Sequence, residues 1–209
     1  MTTIDLSAFL TRYKVTAESP SPFSPSQELD GDLGEVIRLF GGKTFDQGIY
    51  RLLGCADVEN ATLALTQCFP EFAGRITPFA KDWLGRHFAL DKARSANGKN
   101  LVLMLEVGAG EAMEIPANIQ EFHNIELVEY ANEALSSSFF EQWKKASGVE
   151  QVPYDQCVGY KIPLFLGGSD LVENLELIDG DVYVNVCGQL RSKAKKLPEG
   201  QTIRTISFS

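Results

Sequence analysis

The 209-residue sequence predicts an α+β fold: an antiparallel sheet with helices packed on it and a helix and loop extension at the C-terminal end. Three observations predict it. First, three β-type segments, RITPFA, RHFALD and LVLMLE, follow one another between residues 75 and 106 with only turn residues between them. Those turns are Asp82 to Gly85 and Ser95 to Asn100, and the second holds Asn97-Gly98, a strong signal for a hairpin between antiparallel strands. Second, residues 58–68 and 118–145 carry apolar residues at helical spacing on either side of this meander. Third, 44% hydrophobic and 22% charged residues are the proportions of a globular chain that buries a core without help.

In chain order, residues 4–13 read as a short helix with Leu6, Phe9 and Leu10 on one face. The stretch ESPSPFSPSQ, with Pro20, Pro22 and Pro25, cannot continue a helix and reads as an extended connector. DLGEVIRLF is a second helix, ended by Gly41 and Gly42, and IYRLLG a strand. The helix over 58–68 ends at Pro70, and the three-strand meander follows. VGAG then makes a tight turn into a further strand, AMEIP.

The helical pattern from Asn118 to Lys145 has a break near Tyr130 to Asn132 and stops at Gly148. Residues 151–180, punctuated by Pro153, Gly159, Pro163, Gly167 and Gly168, read as irregular. From Asp181, a candidate cap, a helix to about Lys196 suits the macrodipole, acidic at its start and basic at its end. The alternation Val182, Val184, Val186 allows a strand there instead. TIRTISF at the end reads as a strand. The expected organisation is an N-terminal helical segment and connector, residues 1–34, and one α+β domain, residues 35–209.

Charge and motifs narrow the function classes. A net charge of −9 argues against direct nucleic-acid binding, which rests on Lys and Arg displacing counterions, and favours a basic protein partner. The alternative is that the charge only keeps the chain soluble. No apolar run reaches the roughly 20 residues of a membrane span, and the start lacks the features of a signal peptide, so the expected compartment is the cytoplasm. Cys55, Cys68, Cys157 and Cys187 form no C-x-x-C pair and are expected as reduced, mostly buried thiols.

His87 and His123 have no partner at a metal-ligand spacing, so no metal is expected, and a structural or surface role is the default for both. VGAG lacks the third glycine of a dinucleotide fingerprint, and FLGGSD lacks the lysine of a phosphate loop. With no nucleophile elbow either, no cofactor and no catalysis are expected. Acidic residues do cluster. Glu28, Asp30, Asp32 and Glu35 surround the second helix; Glu121, Glu126, Glu129 and Glu133 follow the long helical region; Asp170, Glu173, Glu176, Asp179 and Asp181 crowd a glycine-rich loop. Such clusters are either solvated faces or surfaces that steer a basic partner, an effect salt weakens.

FGGKTFDQGIYRLLG, ITPFAKDWLGRHFALD, VLMLEVGAGEAMEIPANIQEFHNIELVEY and CVGYKIPLFLGGSDLVENLELIDGDVYVNVCGQL together resemble the Tdi family of type VI secretion immunity proteins, which protect against DNase effectors. The resemblance runs from about residue 35 to 208. More remotely, the order of a glycine-ended helix, a strand with a Tyr-Arg pair, a WLGRHFALD hairpin and an EFH-containing helix is similar to the SMI1/KNR4, or SUKH, superfamily, which implies a SUKH-like α+β sheet. The Tdi family often carries a GAD-like domain ahead of the shared region, for which residues 1–34 are short.

The resemblance implies an immunity protein that binds a cognate toxin with a basic surface, a secreted nuclease, and covers its active site or substrate groove. Glu121, Glu126, Glu129, Asp170, Glu173, Glu176, Asp179 and Asp181 are the candidate contacts, chosen for charge density beside the matched loop. A SUKH-type regulatory scaffold for an endogenous protein is the alternative, and an unrecognised hydrolase a third reading.

Overall fold

A computed structural model describes residues 4–19, 29 and 31–195. The connector prolines Pro20, Pro22 and Pro25, the acidic Glu28 and Asp30, and the TIRTISF segment lie outside the described residues. A seven-stranded antiparallel sheet runs in sequence order: β1 Val15–Glu18, β2 Lys43–Phe45, β3 Tyr50–Leu52, β4 Ile76–Asp82, β5 His87–Ala96, β6 Lys99–Glu106 and β7 Glu111–Asn118. β8 Gln156–Tyr160 and β9 Leu175–Asp179 form a separate antiparallel pair. The helices are α1 Ser7–Arg12, α2 Gly31–Phe40, α3 Cys55–Cys68, a run made of α4 Ile119–Glu121, a π-turn at Phe122–Glu126 and α5 Leu127–Glu129, then α6 Ala131–Leu135, α7 Ser137–Ser147 and α8 Gly180–Ala194.

The α+β reading holds. The sheet is covered on both sides, which is why LVLMLE reads as a continuous apolar run rather than an alternation. Phe88, Leu90, Val102 and Met104 face one core with α1, α2 and the helices of 119–147, while Ala89, Leu103 and Leu105 face a second core under α3 and α8. The first core is aromatic: Phe9 stacks on Tyr13 and meets Phe45, Tyr50 and His123 edge-on. Each such buried ring contributes roughly 1.5–3 kcal/mol by leaving water. Tyr13 donates to Leu127 O at 2.6 Å, and Ile4 N donates to Glu35 Oε2 at 2.8 Å, so the N-terminal residues are tied to the body of the fold.

Four features differ from the sequence reading. Residues 151–180 are not wholly irregular, because β8 and β9 pair across the loop between them. β1 and β2 are strands, although the first is only four residues long and largely exposed. The helical run has a second break, at Ser136, whose φ of 50° turns the chain between α6 and α7. Finally, the residue that caps α8 is Asp179, whose side chain accepts from Val182 N at 2.9 Å, and the Val182–Val186 stretch is helical. Helical spacing wins there because Tyr183, Val184, Cys187 and Leu190 bury one face.

Both histidines are buried in their cores. His123 Nδ1 lies 2.6 Å from Ile119 O, a pure acceptor, so Nδ1 carries the proton and Nε2 accepts from the Tyr50 hydroxyl at 3.0 Å. Burial pushes His123 down to about 4, the Ile119 carbonyl opposing it, and burial with the Lys81 charge pushes His87 down to about 3. Each is therefore neutral in the folded chain, whereas the unfolded chain takes up a proton near pH 6.5. Their stabilisation is complete above pH 6.5 and is lost as pH falls toward the folded values. Stability should drop by about 1 kcal/mol per pH unit per histidine between pH 6 and pH 4. Urea unfolding across that range checks this, and His123→Phe should flatten the slope by about half.

Candidate partner-binding surface

α8 and the β8–β9 pair build the surface from the second core outward. β8 is held on its inner edge: Val158 N donates to Trp83 O at 2.6 Å, and the buried Arg51 guanidinium donates to the carbonyls of Pro153, at 2.8 Å, and of Gln156. Tyr183 of α8 packs on Gly159 and accepts at its hydroxyl from Tyr160 N at 3.2 Å. β9 is thereby placed on the outside, and the loop from Lys161 to Asn174 lies beside it.

That loop is rigid for identifiable reasons. Asn174 is buried and joins three segments: Ile162 N donates to its Oδ1 at 3.0 Å, and its Nδ2 donates to Ile162 O and to Ser169 O, each at 2.8 Å. Gly168 is required because a Cβ there would lie 1.8 Å from the Ile162 carbonyl oxygen. The Tyr160 hydroxyl donates to Asp170 Oδ1 at 2.7 Å. Burial, and then that carboxylate, push the Tyr160 phenol far up, so it stays a neutral donor. Asn174→Ala should cost about 1–3 kcal/mol, since it strands buried polar partners. Thermal unfolding would report the loss, and sharper exchange of the Ile162 amide would localise it.

Of the sequence-selected residues, Asp170 and Glu173 lie on the loop, Glu176 and Asp179 on β9 and Asp181 at the start of α8, all exposed. The one basic residue within 161–182 is Lys161, whose Nζ donates to Glu173 O at 2.8 Å, and the buried Lys81 of β4 approaches Gly180 and Asp181 from below. Glu121, Glu126 and Glu129 lie elsewhere, on the helical run against α1. Glu121 is committed to a capping box, accepting from Asn118 N at 3.0 Å while Asn118 Oδ1 accepts from Gln120 N and Glu121 N. Of the other acidic cluster, Asp32 pairs with Lys99 at 2.8 Å and Glu35 with Arg38 at 3.7 Å.

Sequence reasoning missed the apolar half of the surface. Ile162 at 55% exposure, Leu171 at 59%, Leu177 at 36% and Val182 at 50% are four of the ten large hydrophobic side chains exposed among the described residues. In sequence they interleave with the five carboxylates over 21 positions. The signal was available in L-E-L-I-D, where Leu177 shares a strand face with the buried Leu175. An open groove of about 510 Å³ beside α1 is a weaker candidate, because Arg12, Asp46 and Glu141 mix both signs there and Arg12 is already paired with Asp46 at 3.5 Å.

Chemistry on the chain itself is confined. The four cysteines are buried and form no disulfide with one another, and burial raises the thiols of Cys68, to about 11, and of Cys157 and Cys187, each to about 12, away from nucleophilic use. Among the described residues no group of three His, Cys, Asp or Glu side chains could hold a metal ion, and no helix is long and apolar enough to cross a membrane.

Residues 116–191 match the family model described as T6SS immunity protein Tdi1, C-terminal. The matched span runs from the end of β7 into α8 and contains every candidate contact residue. No curated protein matches the chain. Among solved structures, the crystal structure of Atu4351 from Agrobacterium tumefaciens is similar in fold, with a TM-score of 0.54 over 88% of this chain and 89% of that chain at 14% sequence identity.

Proposed function

We propose, from the match of residues 116–191 to the family model of the T6SS immunity protein Tdi1 C-terminal region, that the chain binds a cognate toxin and neutralises it in the cytoplasm. The toxin in this reading is a nuclease with a basic substrate groove. The observation that supports the reading is the segment 162–182, tied down by Asn174, along which the exposed Asp170, Glu173, Glu176, Asp179 and Asp181 alternate in sequence with the exposed Ile162, Leu171, Leu177 and Val182. An acidic face competes with nucleic acid for a basic groove, and its field speeds encounter. The apolar residues supply the desolvated centre that slows dissociation.

No catalytic step is assigned to the chain; occlusion is enough. The binding unit is the domain of residues 35–209, which α1 and β1 brace through Tyr13 and the β1–β2 pairing. Co-expression with the polypeptide encoded by the neighbouring gene tests the reading in a bacterial host. The neighbour alone should halt growth, and this chain should restore it. A neighbour that is harmless alone, or that stays lethal in the presence of this chain, rejects the proposal.

A further inference from the structure

The geometry points to β9 as a docking edge at which an extended, basic strand of the partner adds to the small sheet. This deepens the proposed function and rests on it. The backbone alternation of β9 follows from the bonds at the two ends of its ladder. Gly180 N donates to Asp155 O at 2.8 Å and Lys161 N donates to Asn174 O at 2.7 Å. With Gln156 opposite Asp179 and Tyr160 opposite Leu175, bonded pairs recur every second residue. Asn174, Glu176, Ile178 and Gly180 therefore turn their backbone groups toward β8, and Leu175, Leu177 and Asp179 turn theirs away. On β8, the residues that face away find other partners, as Val158 does with Trp83 O and Tyr160 with Tyr183.

On β9 they are left open. Leu175 N is taken by Val172 O, and the Asp179 side chain caps α8, but the Leu177 N–H and C=O have no partner among the described residues. Leu175 C=O and Asp179 N–H extend this row on either side. Open edges are ordinarily blunted by bulges, proline or lysine. The two edges of the large sheet follow that rule: the β1 ladder shifts register between Val15 and Ala17, and the β7 ladder shifts between Leu101 and Leu103 and contains Pro116. β9 has five consecutive pairs with no shift, no proline and no basic residue.

The side chains choose the occupant. A strand added here runs beside Leu177 and Asp179, which share one face of β9, with Glu176 on the other face and Asp181 in the first turn of α8, so basic residues on the incoming strand are attracted. A second copy of this chain would bring six such carboxylates onto one short ribbon, which disfavours self-pairing.

Amide hydrogen exchange read by NMR tests the edge. In the dilute free chain, Leu177 N–H should exchange fast and Ile178 N–H slowly. Adding the purified polypeptide encoded by the neighbouring gene should slow Leu177 exchange by about tenfold or more, as an amide buried in a new ladder is protected. Leu177→Pro removes the outward N–H while leaving the ladder to β8, and should weaken that complex by about tenfold or more. Leu177→Ala keeps the N–H and should weaken it less. The inference is overturned if Leu177 is already protected in the free chain, if protection appears on concentrating the chain alone, or if the complex forms with Leu177 exchange unchanged. In the last case growth rescue still stands and only the edge fails; absence of rescue rejects the functional reading itself. Should Leu177→Pro lose its fold, the exchange measurement on the unaltered chain decides.

Discussion

Asp82→Ala is expected to cost about 3–5 kcal/mol of folding stability, because it leaves a fully buried guanidinium without its counter-charge. Asp82 and Arg86 are both buried, and Arg86 Nε donates to Asp82 Oδ2 at 2.6 Å. The other carboxylate oxygen accepts from Leu84 N and Arg86 N, each at 3.0 Å, and so shapes the turn between β4 and β5. Removing the carboxylate strands a charge and two amides together. The double variant Asp82→Ala/Arg86→Met should lose less than the sum of the single variants, since the methionine no longer buries an unpaired charge. Equilibrium urea unfolding of the four chains measures the coupling; additive losses would show that the ion pair is not the cause.

Trp83→Ala should cost a further-reaching loss of about 3–5 kcal/mol, the range for emptying the site of a large buried aromatic residue. Trp83 is completely buried and lies 5.1 Å from Phe140, 5.6 Å from Phe139 and 6.0 Å from Trp143 between ring centroids. Its indole Nε1 donates to Leu135 O at 2.8 Å, at the α6–α7 break, and its own carbonyl accepts from Val158 of β8. One residue thus fixes the hairpin, the helical layer and the small sheet against one another. Trp83→Phe retains most of the packing and strands the Leu135 carbonyl, for about 1–3 kcal/mol. Thermal unfolding separates the two, and only the alanine variant should also loosen β8.

How much of this was legible depends on how strongly each element repeats. β4 to β7 announced themselves through long β-rich runs and Asn97-Gly98, whose positive φ values of 51° and 73° suit the hairpin turn. α2, α3 and α7 carried enough apolar positions at helical spacing to be read. β8 and β9 were not legible because each is five residues long, and Gly159, which argues against a strand, sits within β8. The glycine is there for packing: a Cβ would come 2.6 Å from the Tyr183 ring, a contact between residues 24 positions apart that local pattern does not reveal.

The same holds for the candidate surface. The carboxylates from Asp170 to Asp181 could be selected by density alone, and all five are exposed on the loop, β9 and the start of α8. Glu121, Glu126 and Glu129 satisfied the same criterion and lie on a different part of the fold, where Glu121 serves a helix cap. Charge density does not distinguish a cap from a contact; exposure of Leu171, Leu177 and Val182 beside the acids does, and exposure is a tertiary property.

The most direct test of the account is the affinity of the purified chain for the neighbouring gene's polypeptide, measured by calorimetry at low and moderate salt. It should be compared with a chain carrying Glu173→Lys, Glu176→Lys and Asp181→Lys, all exposed positions whose side chains hold no cap. The account predicts that the reversed chain stays folded, binds on the order of 10- to 100-fold more weakly, and loses the salt dependence of the unaltered chain. Equal affinity of the two chains at both salt concentrations would contradict it and place the interface on another face.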